Sequence, residues 1–149
     1  MDFGLAITST LEQEKTNLIT KLSDELELAF KDKNYGNDVK SYTIGVNCVS
    51  IPKGFEKFSK LPKPSYTKGK KVINPDGIPF TLEDNFECSI KIDFETFKNG
   101  TEEECRKLLA REILNSLSII ESMKNKIKDF DLIKFHSDLE TYFKKKGLV

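Results

Sequence analysis

Phe86-Glu87-Cys88-Ser89-Ile90-Lys91-Ile92-Asp93-Phe94 alternates apolar and polar residues without a break. Period two marks a strand with one face buried and one face wet. The pattern predicts a strand over 86–95, with Glu87, Ser89, Lys91, Asp93 and Glu95 on the wet face. Directly after it, Thr101 and Glu104 have the three-residue spacing of a capping box that opens a helix. Cys105, Leu108, Leu109, Ile113, Leu117 and Ile120 then share one stripe of a helix predicted over 101–124. The chain therefore ends in strand, helix, helix. The last helix is predicted from about Asp131 to Lys146, with Leu132, Phe135, Leu139, Tyr142 and Phe143 inward and Gly147 at its end.

Working back toward the start, Ser41 to Ile51 alternates again, with Tyr42, Ile44, Val46 and Cys48 on one face. Residues 1–8 read as a first strand. Leu11, Leu18, Leu22, Leu26, Ala29 and Phe30 recur at helical steps, with Lys15 among the charged residues assigned to the opposite side. A helix is predicted over roughly 10–32, capped by Ser9 or Thr10 and stopped by Asn34-Tyr35-Gly36-Asn37. The segment 52–85 is punctuated by prolines. Asn74-Pro75-Asp76-Gly77 within it has the residue order of a tight turn between short strands at 70–74 and 78–82.

Strands adjacent in sequence, with helices gathered to one side, lead to an expectation of an α+β two-layer sandwich. It would have a mainly antiparallel sheet of about four strands and three helices on one face, in a single domain over residues 1–149. Lys+Arg and Asp+Glu number 24 each, and this zero formal net charge argues against a general nucleic-acid binder. No apolar run approaches the ~20 residues that span a bilayer. Met1 to Ile7 lacks the basic start of a signal peptide. Three widely spaced cysteines, Cys48, Cys88 and Cys105, suggest neither a disulfide framework nor a zinc site and read as small buried hydrophobes. The expected compartment is the cytoplasm.

Residues that could carry chemistry are few. His136 is the only histidine and has no nucleophile or orienting partner in its pattern. Asp93 and Glu95 fall on one predicted strand face about 7 Å apart, close enough in principle for acid–base work or a divalent ion. Lys91 shares that face, and an ordinary wet strand has the same look. Lysines between Lys53 and Lys71 interleave with Phe55, Phe58 and Tyr66, a mixture that suits single-stranded nucleic acid but also any solvated loop. No cofactor, metal or catalytic residue is expected.

Three stretches carry a resemblance. Lys33-Asn34-Tyr35-Gly36-Asn37-Asp38-Val39 follows the first helix; Ile90-Lys91-Ile92-Asp93-Phe94-Glu95-Thr96-Phe97 precedes the second. The leucine-rich run Leu108 to Ile120 is followed by Asp129-Phe130-Asp131. In this order they resemble the bacterial immunity protein 44 family of polymorphic toxin systems, with Asn34 where the family often has aspartate. The resemblance implies a small α+β protein that binds and neutralises a cognate toxin domain without catalysis. For a basic toxin, the acidic residues around one strand are the expected contacts: Glu83, Asp84, Glu87, Asp93 and Glu95. Two other readings compete with it: an assembly module pairing through its sheet, and a small-molecule enzyme with a pocket near residues 52–85.

Overall fold

A computed structural model describes residues 1–37, 39–50, 64–67, 69–82, 85–120, 127 and 129–149. The elements run β1 (Asp2–Ile7), α1 (Gln13–Phe30), β2 (Ser41–Val49), β3 (Ser65–Thr67), β4 (Lys70–Ile73) and β5 (Pro79–Leu82). They continue with β6 (Asn85–Asp93), α2 (Phe94–Asn99), α3 (Glu102–Ile120) and α4 (Leu132–Lys145). The class is α+β: among the described residues four strands form one mixed sheet, and four helices accompany it.

The sheet order is β1-β2-β6-β3, with β4 and β5 forming a separate two-stranded ribbon. β1 pairs parallel to β2, and β2 parallel to β6; only β3 joins antiparallel, along Glu87, Phe86 and Asn85. The expectation of a mainly antiparallel sheet is therefore corrected. α1 lies between β1 and β2 and carries the chain back to the starting end, as a crossover helix between parallel strands does. The stretch between β2 and β6 is also long enough to be a crossover, so closeness in sequence did not mean a hairpin.

Register puts Phe3, Tyr42 and Phe86 in one row, and Ile44 beside Cys88, all on the buried face. Phe30 of α1 and Phe135 of α4 close over that row. Phe135 packs edge-on to Phe3 at 5.5 Å and to Tyr35 at 5.2 Å, and Tyr42 stacks on Phe86 at 5.3 Å. Such pairs add roughly 0.5–1.5 kcal/mol each to the area they bury. α3 meets α1 through a half-buried ion pair, Arg106 Nη2 to Glu25 Oε2 at 3.0 Å.

Several local expectations meet the structure directly. The capping box forms in both directions: Glu104 N–H donates to Thr101 Oγ1 at 3.2 Å, and Thr101 N–H to Glu104 Oε1 at 3.3 Å. Asn74 to Gly77 closes a turn, with Gly77 N–H donating to the Asn74 carbonyl at 2.9 Å. α4 ends at Gly147, whose φ is +73°. All three cysteines are buried and unbridged.

Others change. No side chain caps α1. The Ser9 hydroxyl instead accepts from Cys48 N–H at 2.8 Å and donates to the Cys48 carbonyl at 3.1 Å, which ties the end of β1 to β2. Lys15, expected on the charged side of α1, is buried. Its Nζ donates to the Gly100 carbonyl at 2.6 Å and lies 5.7 Å from the Phe97 ring centre. Lys15 is four residues after Leu11 and three before Leu18, so it belongs to the apolar stripe. There the ammonium serves the carbonyl end of α2, where positive charge is favoured.

Candidate partner-binding surface

The face of the sheet away from the core is lined by side chains that alternate with the buried ones. β1 supplies Asp2, Gly4 and Ala6; β2 supplies Ser41, Thr43, Gly45 and Asn47; β6 supplies Asn85, Glu87, Ser89, Lys91 and Asp93. Its centre is floored by small residues. Ala6, Thr8, Thr43, Gly45, Ser65 and Glu87 border a shallow depression of about 260 Å³. Gly45 matters here because a Cβ on it would come 3.2 Å from Ser89 Oγ. The polar groups are held in place. Ser41 Oγ donates to Asn85 Oδ1 at 2.7 Å, and Asn85 Nδ2 to Glu87 Oε1 at 3.0 Å. Thr8 Oγ1 donates to the Val46 carbonyl at 2.9 Å and to Asn47 Oδ1.

Of the five acidic residues expected to act together, the structure places three. Glu87 is exposed on this face. Asp93 closes β6 and caps α2, its Oδ2 accepting from Thr96 N–H at 3.1 Å and Thr96 Oγ1 at 2.8 Å. Glu95 is therefore not on the strand at all; it stands exposed in the first turn of α2. The shared strand face expected for Asp93 and Glu95 is corrected. Asp93 begins a helix because its carboxylate satisfies an N–H that the first turn leaves open. The signal was present as Asp93 three residues before Thr96. Glu83 and Asp84 lie outside the described residues, as does much of the 52–85 segment. Glu87 and Asp93 are six residues apart, about 20 Å along a strand. Glu87 and Asp93 thus do not converge on one point. Among the described residues no three His, Cys, Asp or Glu side chains gather as a metal set.

Cys48, Cys88 and Tyr42 serve the interior. Burial pushes the Cys48 thiol up to about 11 and raises Cys88 as well, which keeps both as thiols at neutral pH. Burial, then the charge of a Cys88 thiolate and the hydrogen bond with Cys88, raise the Tyr42 hydroxyl. His136 is half-buried on α4. Among the described residues no helix is long and apolar enough to cross a membrane.

The three sequence stretches singled out above serve as internal joinery, and the first meets the 129–131 end of the third. Tyr35 is buried and its hydroxyl donates to Asp138 Oδ2 at 2.7 Å. Its carbonyl accepts from Asp131 N–H, and Asn37 N–H donates to Asp129 Oδ2 at 3.1 Å. Between them Gly36 has φ +139°, and a Cβ there would lie 2.1 Å from the Asp129 carbonyl oxygen. The glycine is needed for this close approach; α1 has already ended at Phe30, with Lys31 as its cap. In the second stretch, Ile90, Ile92 and Phe97 are buried and Asp93 is the cap. These motifs thus define a scaffold, and most of the exposed sheet face lies outside them.

Neither the curated proteins nor the solved structures gave a match to this chain. The profile of immunity protein 44 matches residues 1–145, nearly the whole chain and all three motif stretches. A match of that extent shows that the chain belongs to the immunity protein 44 family.

Proposed function

We propose that this protein is a non-catalytic, single-domain inhibitor that neutralises a cognate toxin domain by direct protein–protein contact, in the cytoplasm of a bacterium carrying a polymorphic toxin system. The observation that carries this reading is the family match over residues 1–145. The open sheet face supports it: a preorganised, shallow and extended polar surface suits a protein partner better than a small molecule, which favours a deep concave site. Its exposed Glu87, with Glu95 at the adjoining corner, would attract a basic toxin and speed capture. Glu83 and Asp84 precede β6 in sequence and are assigned to the same acidic surface.

Growth rescue tests the reading. The toxin domain encoded immediately upstream is expressed alone and then with this chain. Killing that this chain reverses is the expected outcome; killing that continues unchanged would overturn it. Asp93 should be left intact when the surface is mapped, because its loss would also cost about 1 kcal/mol of helix capping. Glu87→Lys with Glu95→Lys is the cleaner probe. It should slow association about tenfold or more at low salt and flatten its salt dependence.

A further inference from the structure

Lys15 and Cys105 lie 90 positions apart in sequence and meet in the interior. Lys15 is 8 % exposed and Cys105 1 %. Lys15 Nζ donates to the Gly100 carbonyl at 2.6 Å and to Cys105 Sγ at 3.3 Å. The Cys105 thiol in turn donates to the Phe97 carbonyl at 3.2 Å, so its hydrogen is engaged elsewhere while the sulfur accepts from the amine. Cys88 Sγ, by contrast, meets the Tyr42 hydroxyl at 3.2 Å.

Each partner is fixed by its own element. Lys15 is the third residue of α1. Cys105 sits in the first turn of α3, behind the Thr101–Glu104 capping box, and its N–H donates to the Thr101 carbonyl at 2.9 Å. Gly100 joins α2 to α3 and leaves room for the sulfur: a Cβ there would lie 3.2 Å from Cys105 Sγ. The pair stands between two surface hollows. Cys105 borders a cleft of about 490 Å³ with Thr96, Leu108 and Leu148. Lys15 borders a depression of about 240 Å³ with Glu14 and Thr101. A reagent the size of water has a short way in from either side, and a bulky one does not. Nitrogen and sulfur 3.3 Å apart are at the separation of a near-attack pair, and a nucleophile held so reacts as if at very high concentration.

We propose that Lys15 and Cys105 form an oxidant-triggered covalent staple, a sulfenamide between Nζ and Sγ that ties α1 to α3 when the chain meets a peroxide. In the first step the Cys105 sulfur attacks hydrogen peroxide. The O–O bond breaks, one water leaves, and the sulfur, oxidised by two electrons, becomes a sulfenic acid. The Lys15 ammonium releases one proton to solvent, and the nitrogen lone pair then attacks the sulfur. The N–S bond forms and the S–O bond breaks, and the hydroxide leaves as water with a second proton from the nitrogen. One peroxide is reduced to two waters for each staple. A sulfenic acid that meets no trap is open to further oxidation, and here the amine at contact distance takes the trapping role that a second thiol commonly has. The staple closes a long loop, which restricts the unfolded chain and stabilises the fold. It is independent of the toxin-neutralising reading.

The test treats the full chain, in native buffer, with hydrogen peroxide and follows it by intact mass and peptide mapping. A species lighter by two hydrogens is expected, with the peptides of Lys15 and Cys105 joined and dithiothreitol restoring the parent. Its melting temperature should rise by about 5 °C or more. Lys15→Arg, which keeps the positive charge, and Cys105→Ala should each abolish the species, and Cys48→Ala should leave it. Mapping of the parent chain decides the matter even where a variant folds poorly. A disulfide between Cys105 and Cys48 or Cys88 would overturn the proposal. So would Cys105 advancing to the sulfinic acid with Lys15 unlinked, or Cys105 left unmodified by peroxide. An oxygen retained between nitrogen and sulfur would overturn the direct bond.

Discussion

Gly36 and Gly77 both hold left-handed backbone, at φ +139° and +79°, yet their surroundings are opposite. A Cβ on Gly36 would strike the backbone of Asp129 and Phe130, whereas one on Gly77 would meet nothing within 4 Å. The first glycine lets two chain segments touch; the second only lets one segment turn. Around Gly36 the polar groups of Tyr35, Asn37, Asp129 and Asp131 satisfy one another across the fold, and around Gly77 the neighbouring side chains face water. The family's motif residues fall in the first region and the exposed Ile73 and Ile78 in the second. The motif stretches are here largely the means of making the scaffold. Partner recognition is free to reside on surface that the scaffold does not need.

Three substitutions would break or sharpen this contrast. Gly36→Ala has the largest expected effect. The clash is with backbone, which cannot swing aside, so a loss of about 3 kcal/mol and a fall in melting temperature of about 10 °C are expected in thermal and denaturant unfolding. An unchanged melting temperature would mean that the 34–37 and 129–131 segments are not held as described.

Tyr35→Phe comes next. It removes one hydrogen bond to Asp138 and should cost about 1 kcal/mol at pH 7. Burial, and then Asp138, raises the Tyr35 hydroxyl well above its ordinary value, so the fold favours its protonated form. That contribution is fully present below the unfolded tyrosine value of about 10 and is lost as pH rises above it. The gap between parent and Tyr35→Phe stability should therefore narrow between pH 7 and about pH 10.5 when denaturant unfolding is repeated at both. A constant gap would count against the buried tyrosine as a source of alkaline sensitivity.

Gly77→Ala should have the smallest effect. The left-handed position costs alanine about 1 kcal/mol. Because the ribbon stands outside the main sheet, global unfolding should shift by less than about 0.5 kcal/mol, and the cost should appear as local opening. Amide exchange at residues 77 and 78 should speed up about fivefold, the local equivalent of 1 kcal/mol. A global loss as large as that of Gly36→Ala would show that ribbon and core unfold together.

Much of the architecture was legible because local chemistry decides it. The alternation at 86–93 gave a strand, Thr101 with Glu104 gave a helix start, and Asn74 to Gly77 gave a turn. Strand direction was not legible in the same way. Alternation says which side chains share a face but nothing of which neighbour a strand meets or which way that neighbour runs. Asp93 shows a second limit: one carboxylate can continue a wet strand face or cap a helix, and the apolar–polar pattern alone favoured the strand. Lys15 shows a third. Its position in the stripe marked it as inward, and its charge argued otherwise until the Gly100 carbonyl supplied a partner. The acidic surface was legible as composition, but its geometry depended on where β6 stopped.

β1 is an edge strand of the sheet, and the N–H of Leu5 is met by Ser23 Oγ of α1 at 2.8 Å. An unpaired edge is a template on which another copy of a chain can add its own strand, the first step toward ordered aggregates. One hydroxyl on a packed helix interrupts that template. An inhibitor of the kind proposed has to persist at useful concentration without seeding on itself, and Ser23, part-buried in the joint between α1 and β1, closes one position of that edge.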